Sequence, residues 1–132
     1  MSLPLPHQVR TFLDRGSHAT IATVGPDGWP HQAYVWYLRD GDEVVVNSAL
    51  GRRWPSNLLR DPRLSFAVAE GGGWVGLRGR VTVVDDRAVA LADIAAMARR
   101  HAPDVADAMI ERFRTEERIS FRLAPDAIHV EL

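Results

Sequence analysis

Between His18 and Ser48 the chain carries three β-rich runs held apart by two tight turns, and no other stretch constrains the fold as strongly. His18–Gly25 sets Ile21 and Val24 among Thr20 and Thr23, and it ends at Pro26-Asp27-Gly28. In that triplet Pro presets φ, Asp bonds to its own backbone, and Gly tolerates positive φ. His31–Leu38 follows as a run dense in aromatics, and Arg39-Asp40-Gly41-Asp42 turns it into Glu43–Ser48. Connections this short join only antiparallel neighbours, so the spacing predicts a three-stranded meander.

The remaining segments add to that sheet. Leu3–Arg15 places Val9, Phe12 and Leu13 at helical spacing before Gly16-Ser17, which predicts an opening amphipathic helix. Gly51–Arg60 predicts a short helix with Trp54, Leu58 and Leu59 facing inward and Pro55 in the first turn, where its missing N–H costs little. Leu64–Ala69 and Trp74–Val84 read as strands joined by Gly71-Gly72-Gly73 as a hairpin tip. Gly79 within the longer strand marks a bulge or a close backbone approach. Asp85-Asp86 caps a helix over Ala88–His101, with Val89, Ala92, Ile94 and Met97 on its buried side. After Pro103 the spacing gives a helix over Val105–Phe113, and Ile119–Leu123 and Ala127–Val130 return to β structure. Strands do not alternate with helices, so the order favours a small antiparallel barrel over a parallel sheet. At 132 residues, one domain spanning 1–132 is expected.

Composition removes several function classes. The chain has 16 bases, every one of them Arg, against 17 acids. A formal charge of −1 provides no field to hold a phosphate backbone, so nucleic acid is not an expected partner. With no Cys there are no disulfides, thiolate metal sites or Cys nucleophiles, and no pair among the five His has metal-ligand spacing. No metal site is expected. No apolar run approaches the roughly 20 residues of a membrane span, and Met1–Arg15 lacks the basic start and apolar centre of a signal peptide. The expected setting is the cytoplasm, away from membranes.

Two features point to chemistry. Asn47-Ser48-Ala49-Leu50-Gly51-Arg52-Arg53-Trp54-Pro55-Ser56-Asn57 ends a strand in two small polar side chains and sends two Arg into the start of a helix. Cations there oppose the helix dipole unless an anion sits between them, held by the guanidinium groups and the free N–H groups together. Solvated Arg52 and Arg53, paired with Asp61 or another carboxylate, is the alternative. The second feature is aromatic: Trp29, Tyr34, Trp36, Tyr37, Trp54 and Trp74. Strand alternation turns Tyr34 and Trp36 one way and Val35 and Tyr37 the other, so one face is core and the other is covered by a second copy, by a planar ligand or by both. Ordinary core packing of all these rings is the competing reading.

Ala19-Thr20-Ile21-Ala22-Thr23-Val24 with Pro26-Asp27-Gly28, Pro30-His31, Val35-Trp36 and Asp40-Gly41-Asp42, then Gly51-Arg52-Arg53, Asn57-Leu58, Arg60-Asp61-Pro62-Arg63-Leu64 and Leu77-Arg78-Gly79-Arg80-Val81, resembles the split-barrel flavoproteins related to pyridoxamine 5′-phosphate oxidase. The likeness is greatest to the branch that binds the deazaflavin coenzyme F420. The resemblance implies a mainly β fold, a six-stranded antiparallel split barrel with short peripheral helices, forming a homodimer with cofactor sites between subunits. It implies a ring lying near Val35 and Trp36, a linker and phosphate passing Asn47 and Ser48 to Arg52, Arg53 and Asn57, and Trp74 contributed by the partner copy. Members usually carry a base where Trp54 stands, and losing one such contact removes about 1–3 kcal/mol of phosphate binding; Trp54 is then a candidate to stack on a ring. The implied activity is F420-dependent hydride transfer to a small planar or unsaturated substrate. FMN-dependent chemistry of the pyridoxamine 5′-phosphate oxidase type and a non-catalytic dimer binding a flavin or tetrapyrrole are the alternatives.

Overall fold

A computed structural model describes residues 1–132. Eight strands and four short helices follow one another as α1 (His7–Arg15), β1 (His18–Val24), β2 (Pro30–Trp36), β3 (Leu38–Asp40), β4 (Glu43–Ala49), α2 (Arg53–Arg60), β5 (Arg63–Glu70), β6 (Gly73–Val84), α3 (Arg87–His101), α4 (Ala106–Phe113), β7 (Arg118–Leu123) and β8 (Ala127–Glu131). All neighbours pair antiparallel in the order β2-β1-β5-β6-β7-β4-β3, and β8 lies against β6. Because β3 follows β2 after Tyr37 alone, the two ends of this path are consecutive in the chain and the sheet comes round as a split barrel. Strand β6 belongs to both halves. Its first part pairs with β5 and β8, and Val81–Val84 pair with β7.

The strand count is eight rather than six, for two reasons. Tyr37 is fully buried and breaks the run His31–Leu38 into β2 and β3. The expected meander is thereby divided, with β1 and β2 forming a hairpin in one half-sheet and β3 and β4 a hairpin in the other. The other strand beyond six is β8, which the Ala127–Val130 run predicted and which adds to β6 through Trp74–Arg78.

A core of 20 buried residues fills the barrel, drawn from β1, β4, β5, β6 and β7 and closed at one end by Val9, Phe12 and Leu13 of α1. Each of those three side chains contributes about 1.5–3 kcal/mol relative to exposure. Helix α1 begins at His7, not Leu3, because Pro4 and Pro6 hold the preceding backbone extended; there Leu3 N–H donates to Pro125 O and Leu5 N–H to Asp42 Oδ1. A second cluster of 8 residues lies outside the barrel, where Val45 of β4 meets Ile94, Ala95, Met97 and Ala98 of α3 and Ala106, Ile110 and Phe113 of α4. Strand β4 is therefore buried on both faces, which its run of three Val allows.

Two helix faces differ from expectation. On α3 the buried side is Ala90, Ile94, Ala95, Met97 and Ala98, while Val89 is exposed and Ala92 faces outward. An Ala-rich helix has little polar contrast between its faces, so the packing partner chooses which one is covered. On α2, Leu58 is buried and Leu59 is exposed. Asp86 caps α3 by accepting from the N–H groups of Ala88 and Val89. Gly71 and Gly72 take φ of 57° and 85° at the β5–β6 hairpin tip, a backbone that β-branched or bulky residues adopt only with strain. Gly79 makes a close approach without a bulge: a Cβ there would stand 3.2 Å from Ala124 O.

Candidate functional site

The strand β4 and the helix that follows it set up a cavity of about 290 Å³ against α3 and α4. Its walls bring together Val35 and Trp36 of β2, Asn47 and Ser48 of β4, and Arg52 and Trp54 at the start of α2. Strand alternation explains the aromatic wall. Val35 packs on the core and Tyr37 is buried, while Tyr34 is 72% exposed and Trp36 is half-buried on the outer face. Gly51 takes φ of 91° and turns the chain out of β4, so that Arg52 caps α2 and Trp54 packs inward against Phe121.

The opposite wall consists of residues that the sequence did not mark as site residues: Ile94 and Met97 of α3, Met109, Arg112 and Phe113 of α4, Glu116, and Arg118 at the start of β7. Arg118 is the most constrained of these. Its side chain is 4% exposed, its Nε donates to Asn47 Oδ1 at 3.0 Å, its Nη1 donates to Glu116 Oε1 at 3.0 Å, and its guanidinium lies 4.8 Å from the centre of the Phe113 ring. Burial pulls its pKa below the ordinary arginine value, and the Glu116 carboxylate opposes that shift. Asn47 is equally committed, since its Nδ2 donates to Ala90 O and to Ser120 Oγ, and Ser120 Oγ in turn donates to Asp93 Oδ2 at 2.7 Å. The Asn47 amide thus holds Arg118 and α3 in place rather than standing free in the cavity. A signal for Arg118 was present in the alternation of β7, where Arg118, Ser120 and Arg122 share the face opposite Ile119, Phe121 and Leu123. That face reads as solvated until α3 is known to cover it.

Arg52 and Arg53 do not converge on one point. Successive residues at a helix start project about 100° apart; Arg52 enters the cavity described above and Arg53 lines a separate one of about 440 Å³ with Trp29, His31 and Asn57. Arg52 pairs with Glu116 at 3.3 Å. Asn57 is buried and donates to Thr23 Oγ1, tying α2 to β1. Arg60 donates to Val24 O, and Arg63 is paired with Asp61 at 2.7 Å. Of the four Arg in this stretch, Arg52 and Arg53 are the two that reach a cavity without being spent on their own loop. Trp74 lies elsewhere again, in a groove between β5, β6 and β8, stacked on His129 at 4.4 Å and donating from Nε1 to Glu131.

Beside the first cavity runs an aromatic stack. Tyr34 lies parallel to His18 at 4.6 Å, and His101 at the end of α3 stands 5.4 Å from Trp36 and 5.8 Å from His18. The Nε2 atom of His101 is buried without a hydrogen-bond partner, and burial lowers the pKa of the ring, which favours the neutral form.

The family model described as pyridoxamine 5′-phosphate oxidase matches residues 5–128. No curated protein sequence matches the chain. Among solved structures, a conserved hypothetical protein of Mycobacterium tuberculosis superposes with a TM-score of 0.83 at 22% identity, covering 98% of this chain and 85% of that one. An F420 reductase superposes with a TM-score of 0.74 at 21% identity, covering 95% and 98%. HutZ, a heme storage protein from Vibrio cholerae, does so with a TM-score of 0.72 at 19% identity, covering 97% and 95%. At these identities the structural likeness speaks for the fold.

Proposed function

The chain belongs to the pyridoxamine 5′-phosphate oxidase family, and from that premise we propose that it is an oxidoreductase binding coenzyme F420 between the two copies of a homodimer. The observation that carries this reading is the cavity in which Val35, Trp36, Asn47, Ser48, Arg52 and Trp54 meet. Its chemistry suits a flavin-type group: aromatic side chains for a planar ring, a small hydroxyl at Ser48, and guanidinium groups for a phosphate. Its volume of about 290 Å³ falls at the lower limit for small-molecule sites, as expected of a half-site completed by a second copy. When bound, the deazaflavin supplies the hydride carrier. The chain's own part is to bind and orient: Val35 and Trp36 support the ring, Ser48 and Arg52 anchor the phosphate end, and Trp54 closes the wall between them. In this reading Arg53 and Asn57 contact the cofactor's outer reach or the partner, and Trp74 serves the partner's site. The substrate is a small planar or unsaturated molecule in the remaining groove.

Incubation of the purified protein with F420 and with FMN in parallel, followed by visible absorption and fluorescence titration, tests the reading. F420 is expected to bind and its reduced form to be oxidised by an unsaturated acceptor. Arg52→Ala is expected to weaken binding about tenfold. Binding of neither cofactor overturns the reading, and preferential binding of FMN moves it to the FMN-dependent chemistry for which the family is named. A second reading draws support from the fold's presence in a heme storage protein. Tight binding of a tetrapyrrole with no redox turnover would replace catalysis with ligand carriage.

A further inference from the structure

We infer that Arg118, with Arg52 and Arg112, forms an anion-holding wall of the cavity beside β4, and that Glu116 is a resident counter-ion which the phosphate of a bound ligand displaces. This rests on the cofactor reading above and adds which groups take the phosphate. Arg118 leaves water almost entirely, at 4% exposure, which costs several kcal/mol for an isolated ion. The fold meets that cost with a directed line of hydrogen bonds in which Arg118 donates to Asn47, Asn47 to Ser120, and Ser120 to Asp93. Such a line holds the guanidinium plane at a fixed angle and strengthens each bond in it. Nε and Nη1 are used on Asn47 and Glu116, while Nη2 makes no hydrogen bond within the chain and Arg118 lines the cavity.

Glu116 bridges two cations at once, Arg118 at 3.0 Å and Arg52 at 3.3 Å, and Arg112 is a third on the same wall. One carboxylate is paired with two guanidinium groups, and a third lines the same cavity without a carboxylate partner. A cofactor phosphate, a monoester with up to two negative charges in FMN and a singly charged diester in F420, matches that wall better than the carboxylate does, because its tetrahedral oxygens can be shared among several planar guanidinium forks. Glu116 can leave. It sits in the turn between α4 and β7 with its side chain 24% exposed, so release moves it towards water. Arg118 cannot leave, being fixed behind it. Trp36 and Trp54 line the same cavity, so that aromatic surface for a planar ring adjoins cations for its phosphate.

The test compares phosphate-bearing with phosphate-free ligands on the full chain: FMN against riboflavin, and F420 against its phosphate-free ribityl deazaflavin. The phosphate-bearing form is expected to bind at least about tenfold more tightly. Arg118→Gln and Arg112→Gln are expected to remove most of that preference, and Glu116→Gln to raise it about threefold, with affinity for the phosphate-free forms unchanged. If circular dichroism shows Arg118→Gln misfolded, the Arg112→Gln and Glu116→Gln pair decides. A phosphate preference that neither variant alters overturns the anion wall and leaves the cofactor reading standing. If no flavin or deazaflavin binds, the cofactor reading falls, and inorganic phosphate becomes the probe through the fluorescence of Trp36 and Trp54. A response that is larger in Glu116→Gln then supports the wall, and no response in either protein overturns it.

Discussion

Tyr37 occupies the corner where β2 becomes β3, with its hydroxyl donating to Leu13 O and the Arg100 guanidinium 5.6 Å from the centre of its ring. Burial pushes its pKa up to about 12 from the model-peptide value of 10.0. A raised folded pKa favours the neutral phenol, so this stabilisation is complete below about pH 10 and is lost as pH rises towards about 12. Stability measured by urea denaturation should therefore fall between those two pH values, and Tyr37→Phe should flatten the fall, with tyrosinate absorbance reporting the ionisation. Asn47 carries a different load. Asn47→Ala strips an acceptor from Arg118 and a donor from Ser120 in a buried setting, and an expected loss of about 2–3 kcal/mol can be read from the same denaturation curves.

Among the elements, α3 matters most to the site, because it covers the outer face of β4 and β7 and supplies Ile94 and Met97 to the cavity. Asp86→Ala removes the side chain that accepts from Ala88 and Val89 N–H, with an expected cost of about 1 kcal/mol in thermal or chemical unfolding. Gly79→Ala on β6 sets a Cβ 3.2 Å from Ala124 O and 3.3 Å from Asp126 N, backbone atoms that cannot step aside, and is expected to cost about 1–3 kcal/mol. Local signals made much of this readable. Turn residues located the hairpin tips, Asp86 located the start of α3, and alternation set Val35 and Tyr37 on one face and Tyr34 and Trp36 on the other, while the fold decided that the first pair is core. What local signals did not carry were contacts between distant segments. Nothing near Asn47 says that Arg118, 71 residues on, will take its carbonyl. Nothing near Arg52 and Arg53 says that they enter different cavities, because that depends on where α4 and the β1–β2 turn come to rest.

For the molecule as a whole, the exposed rings of Tyr34 at 72%, Trp29 at 73% and Trp74 at 37% lie on surfaces that a second copy is proposed to cover. Sedimentation equilibrium is expected to give a dimer, and quenching of Trp fluorescence by acrylamide should weaken on association. Within the protomer, β6 joins both half-sheets, so its amides around Leu77–Val81 are expected to exchange with deuterium only through global unfolding, while those of β3 exchange first. The pairing of β4 with β7 has a consequence for how such a chain is made. On the ribosome β4 emerges with Asn47 and Ser48 in place, yet its partner strand and Arg118 follow 71 residues later. Until then the anion-holding wall of the cavity is incomplete. A ligand that depends on that wall is expected to bind the finished chain and not one cut short of β7, which a binding titration on the two checks.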